Sequence, residues 1–88
     1  MIREKVQIVN EAGLHARPAA SLVKLAGKYK SDFFIHLHGY RVNGKSILGV
    51  MTLAAEKGAE LEIELEGPDE EEAAEAIKEL IENGFGEE

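Results

Sequence analysis

A histidine and an arginine lie two positions apart in the segment Gly13-Leu14-His15-Ala16-Arg17-Pro18-Ala19-Ala20, and both side chains suit phosphate chemistry. A neutral imidazole is a nucleophile whose phosphoramidate can pass its phosphoryl group onward. A guanidinium presents a fork of N–H donors that matches phosphate oxygens. The spacing by itself favours two interpretations about equally, because a lone His-x-Arg pattern is common. One is a phosphoryl site, and the other is a histidine that caps a helix beside a solvated arginine.

The pair is predicted to lie at the start of a helix. Apolar residues follow helical spacing from Ala16 to Lys28, namely Ala16, Ala19, Ala20, Val23 and Ala26, with Gly27 near the end. Pro18 fits the first turn, although its ring biases Arg17 away from ideal helical angles. The first N–H groups of a helix have no intrahelical acceptor and the dipole is positive there, so a phosphate on or near His15 would find donors.

The remaining elements alternate between strands and helices. Residues 2–8 alternate as a strand, and residues 33–37 and 40–42 are predicted to form a hairpin turned at His38-Gly39. Ser46 is predicted to cap a short helix, residues 60–66 form the clearest strand, and Asp69 with Glu72 resembles a capping box for a last helix that ends at Gly84. The order β-α-β-β-α-β-α predicts a two-layer α+β domain with its helices on one sheet face.

Length and composition indicate one small domain over residues 1–88. The absence of cysteine excludes disulfides and thiolate zinc sites. The sequence has neither a signal-like N-terminal segment nor an apolar run of about 18 residues, so we expect a cytoplasmic protein without membrane insertion.

Charge is divided unevenly along the chain. The formal net charge is −7, yet residues 1–55 hold eight basic and three acidic side chains, whereas residues 56–88 hold two basic and fourteen acidic ones. This acidity and the scattered aromatic residues argue against nucleic-acid binding. The acidic part is most simply a set of solvated faces. A sharper interpretation is that the contrast steers an acidic protein partner onto the basic half.

Several other residues carry two interpretations. Ile47, Leu48 and Met51 have helical spacing and are either core residues or an exposed apolar patch. Lys24 and Lys28 are either rim contacts for a partner or ordinary solvated lysines. His36 and His38 are predicted to share a strand face, but no third ligand is identifiable, so we expect no metal site.

These residues together resemble a known family. The segment 13–20 is similar to the active-site motif of HPr, the histidine-containing phosphocarriers of the bacterial phosphoenolpyruvate-dependent sugar phosphotransferase system. The run Asn43-Gly44-Lys45-Ser46-Ile47-Leu48-Gly49-Val50-Met51 is similar to the second motif of that family. Length, element order and the Glu-rich last helix also agree, so the resemblance covers nearly the whole chain.

The resemblance implies an open-faced two-layer sandwich, with a four-stranded antiparallel sheet and three helices on one face. His15 would accept a phosphoryl group at Nδ1 from phosphorylated Enzyme I and pass it to IIA proteins or domains, while Arg17 and the backbone amides of Ala16 and Arg17 hold the phosphate. The expected partner-docking residues are Leu14, Ala20, Lys24, Lys28, Ile47, Leu48 and Met51. The expected protein is a monomeric carrier without cofactor or metal, not an enzyme.

The resemblance also makes Ser46 a candidate regulatory site. In HPr proteins of Gram-positive type a dedicated kinase phosphorylates the matching serine, which slows transfer and creates a co-regulator of transcription. An HPr kinase/phosphorylase and a transcriptional regulator are therefore candidate partners. Two alternatives remain: a regulatory binding module that uses the same surface without a relay, and a carrier of the nitrogen-related phosphotransferase branch. The presence of His15 argues against the first, and the run from Lys45 to Met51 is closer to the sugar branch.

Overall fold

The computed structural model describes residues 1–86 and has the predicted order of elements. Its strands are β1 (Ile2–Gln7), β2 (Asp32–Leu37), β3 (Tyr40–Asn43) and β4 (Glu60–Glu66), and its helices are α1 (Ala16–Ala26), α2 (Ile47–Thr52) and α3 (Glu70–Glu82). The sheet has the strand order β1-β4-β2-β3, with every neighbouring pair antiparallel. The predicted α+β sandwich is confirmed. Among residues 1–86, no helix is long and apolar enough to cross a membrane.

Alternation along the strands decides which sheet face the helices cover. In β4, Leu61, Ile63 and Leu65 are buried against the helices, while the intervening glutamates lie on the opposite, open face. The helices contribute fully buried side chains to the same core, including Leu22, Val50, Ile77 and Ile81. Burying one such side chain stabilises the fold by about 1.5–3 kcal/mol, so a register slip that turned them outward would be strongly disfavoured.

Two helix caps were predicted from the sequence, and the structure contains one of them. Ser46 caps α2 as predicted, because its Oγ accepts a hydrogen bond from the Gly49 N–H at 3.1 Å. The capping box predicted at Asp69 is wrong. The Asp69 carboxylate instead accepts from the N–H groups of Lys30 and Ser31 and from the Ser31 hydroxyl, at 2.8, 2.9 and 2.5 Å. These donors, chiefly the Ser31 hydroxyl, lower the pKa of Asp69.

Two left-handed residues close the predicted hairpin. His38 and Gly39 have φ values of 52° and 83° and join β2 to β3 as a two-residue turn. Positive φ at both central positions gives the turn a twist that matches the flanking strands. His38 therefore lies in the turn and does not share the strand face of His36, contrary to the sequence expectation.

A polar network on the open sheet face is centred on the buried Glu64. Its Oε1 lies 2.7 Å from His36 Nε2, and its Oε2 accepts from Arg41 Nη2 at 3.2 Å. The Arg41 guanidinium also stacks 3.7 Å from the centre of the Phe34 ring. The hydrogen bonds from Arg41 and then His36 lower the pKa of the Glu64 carboxyl.

We expect Glu64→Gln to destabilise the protein at pH 7 by about 1.5–3 kcal/mol, the usual value of hydrogen bonds to a charged group. The lowered pKa means that this stabilisation is full above the ordinary pKa of 4.5 and is lost as the pH falls through the folded value. The difference from the wild type in urea unfolding should therefore shrink between pH 7 and pH 3. Glu66→Gln, an exposed change on the same strand, is the control, and a difference that is constant with pH would contradict the prediction.

Candidate functional site

His15 is exposed and forms the N-cap of α1. Its backbone is extended, with φ −76° and ψ −175°, and its carbonyl accepts the first helical hydrogen bond from Ala19 at 2.8 Å. Its imidazole makes no capping hydrogen bond to the chain over residues 1–86. Since the ring is neither buried nor used as a cap, it is accessible to a reacting group.

The first turn of α1 offers backbone donors at two residues. Ala16 and Arg17 have N–H groups in the first turn, where an α-helix supplies no acceptor, and Pro18 has no N–H. Both residues are exposed, and Arg17 brings its guanidinium to the same turn. The arrangement presents two backbone donors, a cation and the positive end of the helix dipole to an anion beside His15.

The loop before His15 is held by hydrogen bonds to a distant segment. Gly13 adopts φ +63°, and Asn10 Nδ2 donates to its carbonyl at 3.0 Å. The Leu14 N–H donates to the Ala55 carbonyl at 2.9 Å. An exposed ion pair of 2.6 Å joins Lys57 to Glu11, lowers the pKa of Glu11 and is weakened by salt. The polypeptide on both sides of Gly13 is thus fixed against residues 54–57.

Sequence reasoning missed this facing segment. A depression of about 200 Å³ beside His15 is lined by Leu14, His15, Met51, Ala54, Ala55 and Glu56. Ala54 has φ +50°, an unusual conformation for alanine that turns the chain after α2. Two alanines and a glutamate carry no recognisable motif, so no local signal could have marked them.

The structure brings α2 beside the histidine. Met51 lines the depression that includes His15, and Ile47, Leu48 and Met51 are 43%, 79% and 40% exposed. The patch interpretation is therefore favoured over the core interpretation, since Val50 alone among the described α2 residues is buried. Contiguous exposed apolar side chains next to a reactive group are typical of a docking surface.

The other predicted docking residues divide into two groups. Ala20, Lys24 and Lys28 are exposed, the first two on α1 and the third just after it. Leu14 departs from the expectation of a docking residue, because it is 2% exposed and belongs to the core. Because its side chain packs in the core, it offers a partner almost no surface.

Ser46 lies at the opposite end of α2 from Met51, about 7.5 Å away along the helix axis at 1.5 Å per residue. It is half-buried, and the preceding Lys45 donates from Nζ to the Tyr29 carbonyl at 2.8 Å. The N-terminus of α2 is thereby tied to the segment that follows α1. Ser46 does not line the depression at His15.

Two other features of the described chain do not extend the site. A depression of about 530 Å³ between β1 and α3 is lined largely by carboxylates, which would repel a phosphate. Within residues 1–86, no group of three His, Asp or Glu side chains could hold a metal ion. His36 is occupied by Glu64 in the open-face network.

An open-faced sandwich with one accessible histidine at a helix N-terminus defines a class of small protein that offers a nucleophile on its surface and not in a closed cleft. The chain belongs to the HPr family: residues 2–83 match the family model PTS-HPr, described as the PTS HPr component phosphorylation site. HPr proteins are phosphocarriers of the phosphotransferase system. The family expected from the sequence is confirmed.

Individual relatives agree over the full length. The phosphocarrier protein HPr of Treponema pallidum is 48% identical to this chain, and the alignment covers 100% of both proteins. The crystal structure of HPr from Thermoanaerobacter tengcongensis has a TM-score of 0.96 at 44% identity, covering 100% of this chain and 99% of that one. Crh of Bacillus subtilis, a domain-swapped dimer, has a TM-score of 0.78 at 39% identity, covering 96% of this chain and 97% of that one. The monomer expected here stays a prediction.

Proposed function

We propose that this protein accepts a phosphoryl group on Nδ1 of His15 from phosphorylated Enzyme I and passes it to IIA proteins or domains in sugar uptake that depends on phosphoenolpyruvate. The observation that carries the proposal is the exposed imidazole at the N-cap of α1, which makes no capping bond within residues 1–86. Membership of the HPr family supports the same role.

The transfer needs little from the carrier beyond position and charge. The Nδ1 lone pair of His15 forms a bond to phosphorus as the bond between phosphorus and the donor atom of Enzyme I breaks, and the electron pair of that bond stays with the donor. The Ala16 and Arg17 N–H groups and the Arg17 guanidinium stabilise the charge on the phosphoryl oxygens. An exposed helix terminus contributes about 0.3–1 kcal/mol to such an anion, which holds the group weakly enough for it to move on.

Exposure of the site favours a relay over an enzyme with its own small substrate. Enzymes usually enclose their substrates in clefts that exclude water, whereas His15 lies on the surface beside a shallow depression and the apolar residues of α2. A protein partner can cover this surface and supply the water-excluding wall. A regulatory module without phosphotransfer would have no use for the exposed imidazole.

Incubation with phosphoenolpyruvate and Enzyme I is expected to add one acid-labile phosphate per chain, which a IIA protein then removes. Mass spectrometry at neutral and acidic pH measures the label. Running the reaction in parallel with the Enzyme I of the nitrogen-related branch distinguishes the two carrier branches by their rates. No label from either Enzyme I would refute the proposed relay.

We further propose that phosphorylation of Ser46 by an HPr kinase/phosphorylase slows this transfer and creates a surface for a transcriptional regulator. Ser46 is half-buried at the N-terminus of α2, whose exposed apolar residues are the expected docking patch. A phosphoserine brings a charge of about −1.5 to −2. That charge would repel an acidic partner approaching the basic half of the chain.

Ser46→Asp is expected to raise the KM of Enzyme I for this protein about threefold to tenfold, and added salt should reduce the effect. Asp keeps the N-cap hydrogen bond of the serine, so α2 should stay folded. Ser46→Asn preserves the cap without the charge and is the matched control. Equal KM values for the Asp and Asn variants would argue against regulation by charge.

A further inference from the structure

A further depression lies at the hairpin turn and is bounded by the C-terminal end of α2. It measures about 300 Å³ and is lined by Leu37, His38, Tyr40, Val42, Thr52 and Leu53. Most of this lining is apolar, and Tyr40 stands at its edge with 70% of its surface exposed. A large exposed aromatic beside an apolar recess is typical of residues that anchor a protein partner.

This hairpin depression is continuous with the surface at His15. Leu37, His38 and Leu53 also line an adjoining hollow of about 260 Å³, which contains Ala54, Ala55 and Glu56. The same three residues 54–56 form one wall of the depression beside His15. A track therefore runs from the reactive histidine along residues 53–56 to the hairpin turn.

The exposed residues of α2 form two rows on the surface of the helix. Thr52 lines the hairpin depression and its Oγ1 donates to the Leu48 carbonyl at 2.6 Å. Because residues four apart share a helix face, Leu48 lies on the hairpin side of α2. Met51, in the other row, lines the depression beside His15. Apolar surface thus extends on both sides of the helix that any transfer partner must approach.

We propose that the protein that phosphorylates His15 inserts one apolar side chain into the hairpin depression, with Tyr40 as the anchor on this chain. The inference rests on the proposed function, since His15 must be reached by a protein donor. The occupant is a donor whose docking face combines this apolar side chain with acidic residues, because Arg17, Lys24 and Lys28 are exposed around α1. A second contact away from His15 fixes the orientation of the donor and so contributes to its recognition.

The test is the steady-state phosphorylation of the protein by Enzyme I and phosphoenolpyruvate. Tyr40→Ala is expected to raise KM about fivefold to tenfold with kcat unchanged, the size of loss usual for an anchor residue. Tyr40→Phe retains the ring and should keep the wild-type KM. Thr52→Glu places a charge in the depression without altering the hairpin and should raise KM similarly. Val9→Ala removes an exposed apolar side chain outside the track and is the control.

Thermal unfolding of each variant separates docking from folding. Unchanged KM values for both Tyr40→Ala and Thr52→Glu, in a wild type that is phosphorylated, would overturn the anchor while leaving the proposed relay intact. A loss of kcat at constant KM would overturn it as well, because a docking residue acts on the encounter with the donor. Absence of phosphorylation in the wild type would refute the relay and with it this inference.

Discussion

His15→Ala is expected to abolish labelling by Enzyme I and phosphoenolpyruvate while leaving the fold intact. The loss is complete because the nucleophilic nitrogen is removed, and neither Arg17 nor the helix amides can form the covalent intermediate. The imidazole is exposed and makes no capping bond within residues 1–86, so stability should change by less than the ~1 kcal/mol that the loss of a functioning cap costs. Labelling by mass spectrometry and urea unfolding measure the two effects.

The double variant His36→Gln with His38→Asn is the matched control, since it leaves His15 as the remaining histidine in the sequence. Gln keeps a hydrogen-bonding group beside Glu64, and Asn tolerates the left-handed backbone of the turn. One phosphate per chain is expected in this variant at completion. Labelling of His15→Ala, or its loss in the double variant, would place the phosphoryl site elsewhere.

Gly13→Ala is expected to lower both stability and transfer. Gly13 has φ +63°, which costs an L-residue about 1–2 kcal/mol, and an added Cβ would stand 2.3 Å from the Ala55 carbonyl oxygen. Relieving such an overlap costs a further ~1–3 kcal/mol and moves the loop away from residues 54–57. The two contributions together amount to about 2–5 kcal/mol. Displacement of His15 by about 1 Å should slow phosphorylation about 10-fold to 100-fold.

Gly39→Ala separates the two contributions to this effect. Gly39 has a similar positive φ of 83°, but an added Cβ there would meet no heavy atom of the described chain within 4 Å. It should therefore lose only the conformational part, about 1–2 kcal/mol, and should be phosphorylated at the wild-type rate under saturation. Urea unfolding measures the stability of both variants, and the rate of labelling measures their phosphorylation. If Gly13→Ala matched Gly39→Ala in both, the close approach to Ala55 would have no role in positioning His15.

The elements of the fold could be predicted because their signals are local. Alternation in β4 requires only residues two positions apart, and the Ser46 cap depends on an N–H three residues later. The start of α1 was equally readable, since the N-cap position and Pro18 in the first turn are properties of one short segment. These local signals agreed with one another, so the order of strands and helices was predicted correctly.

The errors arose where a distant residue competed with a local one. Asp69 has the spacing of a capping residue, yet its carboxylate is occupied by the N–H groups of Lys30 and Ser31. Leu14 directly precedes His15 and was predicted to contact a partner, yet its side chain belongs to the core. Lys30 and Ser31 lie far along the chain from Asp69, and Ala55 lies far from Leu14. Periodicity and capping rules therefore contain no information about these contacts.

By itself, the sequence predicted the candidate reactive group and its immediate setting, namely His15 beside Arg17 and the first amides of a helix. Only the tertiary structure decided what faces that group. The sheet order β1-β4-β2-β3 and the packing of α2 bring Met51 and residues 54–56 beside His15, about 40 positions away along the chain. Helix and strand signals depend on a few neighbouring residues, whereas this surface depends on side chains that meet only when the whole core is formed.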